Sequence, residues 1–358
     1  MSDKKFKVHI IGGARPNFIK IAPLLKLFDK ERSISSFFIN TGQHYDKALS
    51  ENIITDLNLR KPDLNLGIGS GSHVYQISEI MSKYERILIR EKPDLVIVFG
   101  DVNSTIAAAI AAKKNGIKVA HVEAGLRCYD DDLPEEINRR LTDSISDILF
   151  TPSKNENLNL KKENIIKNVY FVGNIMIDSL ISFFKKNKDK PKFSNIDGLI
   201  TLHRPENVDD KKKIDSIINN IGKWTKKHNI LFPIHPRTKK NLIKFNLFKK
   251  LEKINNLNLI SPLNYSEFLL QLKESKFIIT DSGGIQEEAS FLGKPCFTLR
   301  KNTERPVTIK MGSNKLVDLD TIDLLLNKEL KLRKNKIPKW DGFAAIRIFK
   351  ILKRKLSC

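Results

Sequence analysis

The sequence is poor in the residues from which covalent and metal-centred sites are usually built. Three cysteines occur in 358 residues, Cys128, Cys296 and Cys358, without CxxC spacing, so neither a disulfide framework nor a thiolate metal site is indicated and reduced thiols in a cytoplasmic protein are predicted. The seven histidines form no HxxxH or HxH pair, and no metal site is predicted. No apolar run approaches the ~20 residues needed to span a bilayer. The opening MSDKKFKVHIIGGARP sets only four apolar residues behind its charges, which reads as a strand rather than a signal peptide. GGARPNFIK (12–20) is glycine-rich but carries Ala14 where a GxGxxG fingerprint needs its next glycine, and GxxxxGK[ST] is also missing. Nicotinamide and P-loop chemistries are therefore not indicated. Acid is the minority charge: 63 Lys plus Arg against 41 Asp plus Glu leaves a net +22, a field that attracts nucleic acid, an anionic membrane surface or a phosphorylated metabolite. Much of that excess sits in runs such as KKENIIK, KKNKDK and LKLRKNK, which read as solvated surface.

Short apolar runs alternate with helical patterns, which predicts parallel strands joined by crossover helices. The first series is FKVHIIGG (6–13), SSFFINTG (35–42), DLVIVFGD (94–101), KVAHVEAG (118–125), DILFTPS (147–153) and VYFVGN (169–174). FFKKNKDKPKFSN (183–195) reads as a linker. A second series follows it: GLITLHR (198–204), ILFPIHP (230–236), LNLISP (257–262), KFIITDSGG (276–284) and PCFTLR (295–300). The length suits two domains of about 150 residues. We expect an N-terminal Rossmann-like domain over 1–175 and a C-terminal one over 190–339. An amphipathic helix over 340–358 would brace the first. Two such sheets would offer the carboxyl ends of their strands to a cleft.

The minority charge is unevenly placed. HVEAGLRCYDDDLPEEINRRLTD (121–143) holds Glu123, Asp130, Asp131, Asp132, Glu135, Glu136 and Asp143, with Asp147 just beyond. Asp101 ends the preceding strand in FGDVNST, where it could equally cap the next helix. Three acids among Asp101, Glu123 and the first-turn pair Glu135 and Glu136 converging on one sheet edge would raise one another's pKa and suit an acid and a base acting on one carbon.

Basic groups gather elsewhere. Arg15 leaves the end of the first strand, where a guanidinium can clamp a diphosphate, and Lys20 stands about one turn into the helix. TLHRPENV places His203 and Arg204, and IHPRTKK places His235 and Arg237, off strands of the second domain, which favours an anion site. DSGGIQEEASFLGKP (281–295) is the clearest phosphate signal: Ser282, Gly283 and Gly284 open a helix after a strand, with Glu287 or Glu288 one turn on to accept from ribose hydroxyls. LRKNTERP adds Arg300, Glu304 and Arg305, and TGQHYD offers Gln43 and His44.

These stretches, together with KPDLVIVFGDVNST and the closing WDGFAA, resemble the UDP-N-acetylglucosamine 2-epimerase family of the non-hydrolysing bacterial type, in the family's order across nearly the whole chain. The resemblance implies a GT-B arrangement of two Rossmann-like domains with the active site in the interdomain cleft, usually in a dimer. It places Arg15, Lys20, Asp101, Glu123, Glu135 and His203 on active-site positions and Ser282, Gly283 and Glu288 on UDP-binding ones. Gln43, His44, Glu136, Arg204, His235, Gly284, Arg300 and Arg305 are the further substrate-binding candidates. Asn17 stands where the family often has Glu. The loop GIGSGSHVYQ lacks the Arg through which some members bind a second UDP-N-acetylglucosamine, which argues against that allosteric site here. The implied reaction interconverts UDP-N-acetylglucosamine and UDP-N-acetylmannosamine by elimination and re-addition of UDP through 2-acetamidoglucal. It needs no metal or other cofactor, no nucleic acid and no membrane. Which carboxylate is base and which is acid stays open at this stage. Two alternatives also remain: epimerisation of a UDP-2,3-diacetamido uronic acid, and glycosyl transfer on the same fold.

Overall fold

A parallel strand covered on both faces needs no alternation of polar residues, and Leu95–Phe99, buried at every position, is such a strand. In the computed structural model, which describes residues 5–43, 53–326, 328 and 336–356, the apolar runs become strands of two separate parallel sheets. The chain divides into two units, Met1–Lys186 with Pro338–Cys358, and Asn187–Ile337, each of Rossmann-like α/β build.

The first sheet contains β1 (Phe6–Gly12), β2 (Ile34–Asn40), β3 (Leu64–Asn65), β4 (Leu95–Phe99), β5 (Lys118–Val122), β6 (Ile148–Thr151) and β7 (Val169–Phe171), in the order β3-β2-β1-β4-β5-β6-β7. The chain works outward from β1 on one side and returns to β4 on the other. Loops that diverge there leave room at the carboxyl ends of β1 and β4, the usual place for a ligand in such sheets. Register brings the chemistry to this edge: Phe99 pairs with Val122, so Gly100-Asp101 and Glu123 leave adjacent strands side by side. The Asn103–Lys114 helix covers the sheet with Ala107, Ala108, Ala109, Ala111 and Ala112, small enough to let helix and strands pack closely.

The second sheet contains β8 (Gly198–Thr201), β9 (Ile230–Pro233), β10 (Leu257–Ile260), β11 (Phe277–Thr280), β12 (Cys296–Thr298) and β13 (Asn314–Leu316), in the order β10-β9-β8-β11-β12-β13. Its reversal lies between β8 and β11, whose ends are tied by the Thr201 and Thr280 hydroxyls at 2.8 Å. Leu202-His203 and Asp281-Ser282 emerge there. β3 and β13, two and three residues long, are too short for a periodicity to announce them. Phe183–Lys186, read from sequence as linker, instead close the Ile175–Lys186 helix. Among the described residues no helix is long and apolar enough to cross a membrane.

The Ala344–Leu356 helix packs on the Arg15–Phe28 helix of the first unit through the Phe28 and Phe349 rings, 5.5 Å apart. Ile348 and Leu352 are fully buried, worth about 1.5–3 kcal/mol each. Asp178 accepts from the Ala344 and Ala345 N–H groups at 3.2 and 2.7 Å, satisfying the first turn of this helix. Burial nonetheless pushes the Asp178 carboxyl up to about 6.

Because the folded state then holds this proton more tightly than the unfolded chain, its contribution to stability falls as pH rises between the two pKa values. Urea denaturation should show the wild type losing about 1–2 kcal/mol from this group between about pH 4.5 and 7, a slope that Asp178→Asn removes. Identical pH slopes in the two proteins would exclude Asp178 as the source.

Candidate active site

At the first sheet's edge the loop after β1 is held by Asn17, 2% exposed. Its Oδ1 accepts from the Gly13 and Ala14 N–H groups at 3.2 and 3.0 Å, and its Nδ2 donates to the Phe99 carbonyl at 2.9 Å, tying the ends of β1 and β4 together. Arg15 begins the Arg15–Phe28 helix and is exposed. Lys20 lies on that helix's buried face, and its ammonium forms an ion pair with Glu123; the two side chains are 5% and 4% exposed. Glu123 has φ +76°, a left-handed conformation that strains a residue with a side chain by about 1–3 kcal/mol. Gly100 makes room for the pair: a Cβ there would lie 3.0 Å from Lys20 Nζ and 3.1 Å from Glu123 Oε2.

Asp101 is the more accessible acid, its side chain 23% exposed. It does not cap the following helix, which starts at Asn103 with Val102 as N-cap; its carboxylate pairs with Arg139, and its carbonyl accepts from Asn138 Nδ2 at 2.9 Å. Arg139 also pairs with Glu136, whose oxygens accept from the Cys128 and Tyr129 N–H groups at 3.1 and 3.2 Å. Glu136, 1% exposed, is thus turned to the loop before its helix. Glu135 is half-buried, and its carboxylate makes no hydrogen bond or ion pair among the described residues. Sequence reasoning expected acids clustered against acids, whereas here Glu123 has Lys20, and Asp101 and Glu136 share Arg139. Gln43 Oε1 accepts from the Ser104 N–H and hydroxyl at 3.1 and 2.7 Å, bringing the loop after β2 to the same edge. His44 lies outside the described residues.

In the second unit Asp281, fully buried after β11, organises the loop after β8. It accepts from the His203 and Arg204 N–H groups at 3.0 Å each, from Asn207 Nδ2 at 3.1 Å, and pairs with His203 Nδ1 at 3.0 Å. Burial alone would push Asp281 up, but the His203 and other hydrogen bonds outweigh it and hold the carboxyl below its usual range. The His203 side chain stays 38% exposed, and its ring lies 5.1 Å from that of His235. His235, exposed, caps the Pro236–Lys244 helix by accepting from the Arg237 N–H at 3.2 Å. Arg204 is half-buried, and the Arg237 guanidinium is turned to Asp209 at 2.9 Å.

The Gly283–Leu292 helix begins with Ser282 as N-cap but without a side-chain cap, leaving first-turn N–H groups open to an anion. A Cβ at Gly283 would lie 2.5 Å from Arg305 NH1. Arg300 and Arg305, 2% and 8% exposed, do not project: Arg300 pairs with Glu304 at 2.9 Å, and Arg305 pairs with Glu304 and, at 3.1 Å, with Glu287. Burial holds Arg300 below its ordinary pKa. Glu288, 3% exposed, accepts from the Tyr265 hydroxyl at 2.9 Å. Sequence reasoning missed Arg139, Asp281, Asn138 and Tyr265 as site residues. Only Asp281 had a local signal, as the acid between an apolar strand and a glycine pair.

The chain matches the family model described as UDP-N-acetylglucosamine 2-epimerase over residues 26–353. It is 47% identical over 330 residues to a UDP-N-acetylglucosamine 2-epimerase homolog of Methanococcus maripaludis, covering 90% of this chain and 91% of that one. It is 39% identical over 317 residues to UDP-2,3-diacetamido-2,3-dideoxy-D-glucuronate 2-epimerase of Pseudomonas aeruginosa, covering 87% and 88%. The crystal structure of Methanocaldococcus jannaschii UDP-GlcNAc 2-epimerase in complex with UDP-GlcNAc and UDP superposes with a TM-score of 0.89 at 42% identity, covering 98% of this chain and 100% of that one.

Arg139→Met removes the cation shared by Asp101 and Glu136, and the midpoint of urea denaturation should fall by the equivalent of about 3 kcal/mol. Arg139→Lys keeps the charge without the fork and should fall between. An unchanged midpoint for Arg139→Met would show that the two carboxylates do not depend on it.

Proposed function

This chain belongs to the UDP-N-acetylglucosamine 2-epimerase family, a family of isomerases, and from that premise we propose that it interconverts UDP-N-acetylglucosamine and UDP-N-acetylmannosamine. The observation that carries this reading is the pair of carboxylates Asp101 and Glu123 at the ends of adjacent strands beside the β1/β4 reversal, each paired with a buried cation, Arg139 and Lys20 respectively. C2 of the sugar has no neighbouring carbonyl to acidify its proton. A carboxylate takes that proton while the C1–O bond to UDP breaks, and the electron pair of the C2–H bond becomes the second bond between C1 and C2 of 2-acetamidoglucal. A carboxylic acid then returns a proton to the opposite face of C2 as UDP adds back at C1. Asp101, Glu123 and Glu135 form the acid-base set, at about 10²–10⁴ in rate for each proton transfer. Lys20 holds Glu123 in place through their buried ion pair. The second unit takes the nucleotide: the open helix start at Ser282–Gly284 and the His203 ring meet the diphosphate, where departing charge is greatest. Arg15 and Arg204 add cationic donors.

The second reading, a UDP-2,3-diacetamido uronic acid as substrate, is supported by the Pseudomonas aeruginosa relative. It differs at C3 and C6 and leaves the C2 chemistry unchanged. A glycosyltransferase would leave the carboxylate set without a task. The enzyme works in the cytoplasm as a homodimer, with Ile137 and Leu141, 47% and 49% exposed and one turn apart on the Pro134–Ile145 helix, as part of its apolar contact.

Incubation with UDP-N-acetylglucosamine in heavy water should yield UDP-linked product inverted at C2 and deuterated there, read by proton NMR. Asp101→Asn and Glu123→Gln should lower turnover by about 10²-fold or more while UDP still binds. Inverted product retaining the original C2 hydrogen would sink the elimination mechanism. Turnover of the diacetamido uronic acid alone would select the second reading. For the dimer, light scattering should show Leu141→Glu as a monomer beside a dimeric wild type, and a monomeric wild type would refute the pairing.

A further inference from the structure

Two residues before Glu123, β5 carries a histidine to which the mechanism above gives no task. His121 is fully buried between the apolar neighbours Ala120 and Val122. Its Nδ1 lies 2.7 Å from Asp143 Oδ1 and its Nε2 lies 2.8 Å from the Gly100 carbonyl oxygen. Asp143 also accepts from the Gly125 N–H at 3.0 Å and from Arg127 NH1 at 2.7 Å. Burial pushes the Asp143 carboxyl up, but His121 and Arg127 outweigh it and hold it below the usual carboxylate range. An ionised carboxylate and a backbone carbonyl both only accept. Each ring nitrogen therefore faces an acceptor, and both hydrogen bonds form together only if each nitrogen carries a proton. Charge then alternates outward through Asp143 and Arg127 to Glu163, which Arg127 grips with two N–H groups at 2.7 and 2.6 Å.

The carbonyl at the other end of the ring belongs to Gly100, whose φ of +65° and lack of a side chain give it the greatest backbone freedom. Two hydrogen bonds remove that freedom: its N–H donates to the Val122 carbonyl at 3.0 Å, and its carbonyl accepts from His121. The next residue is Asp101, and on its other side Gly100 packs against the Lys20 and Glu123 head groups. A rotation of the Gly100-Asp101 peptide would swing the Asp101 carboxylate and open the space beside the ion pair.

We propose that His121, protonated on both ring nitrogens and anchored by Asp143, is a positioning residue that clamps the Gly100 carbonyl and so sets the aim of Asp101 beside Glu123. The proposal rests on the reading of these two carboxylates as the reacting groups. Asn at 121 puts its amide near the place of Nδ1 and reaches Asp143 only, whereas Gln extends toward the Gly100 carbonyl.

The test has a spectroscopic arm and a kinetic arm on the full chain. With histidine labelled by ¹⁵N, His121 should give two slowly exchanging ring N–H signals at neutral pH, identified by their loss in His121→Asn. A single ring N–H overturns the clamp, and this readout needs no turnover. With UDP-N-acetylglucosamine, His121→Asn should lower kcat by about 10²-fold, the effect of misplacing a reacting group by about an ångström. KM and UDP affinity should stay within about twofold. His121→Gln should recover about tenfold of the lost kcat. Wild-type kcat in a folded His121→Asn, or equal losses in the two variants that follow their lowered melting temperatures, overturns the positioning role. A wild type inactive on both UDP-sugars overturns the proposed function and with it the catalytic half of this inference, while the ring protons still decide the clamp.

Discussion

The ion pair of Lys20 with Glu123 is the constraint around which the first unit's loops are shaped. Both side chains are shut off from water, and a buried charge that loses its partner costs about 3–5 kcal/mol. The surroundings give way to keep the pair together. Glu123 accepts a left-handed backbone, Gly100 surrenders its side chain, and Asn17 laces the β1 and β4 ends so that the helix bearing Lys20 starts in the right place. Asp101 follows from the same arrangement, because it succeeds Gly100 on a turn already committed to the pair.

The second unit solves the opposite problem. Its helix start at Ser282 has no side-chain cap, and the charges near it are paired with one another. Arg300 and Arg305 are balanced by Glu304 and Glu287 under that turn, and Gly283 lies against the Arg305 guanidinium. The His203 ring stays partly exposed, with Asp281 fixing the His203 backbone and ring together.

Much of this was legible in the sequence wherever the physics is local. Short apolar runs alternating with helical patterns read as parallel strands joined by crossover helices, and the structure has them. The acids of FGDVNST and HVEAGLR could be placed at strand ends without coordinates. What stayed hidden was direction. Nothing in PEEINRR tells that Glu136 turns back to Cys128 and Tyr129 while Glu135 stays half-buried. Nor does LRKNTERP tell that its arginines lie down among glutamates.

By itself, the sequence determined the α/β class, the restart of the pattern after the lysine-rich stretch and the list of residues standing at strand ends, because hydrophobic period and turn chemistry act over a few residues. The partners were decided only by the tertiary structure. Lys20 and Glu123 are 103 positions apart, and Arg139 and Asp101 are 38. Which charge meets which depends on strand order and on register to a single residue, and those are set by packing whole helices against whole sheets.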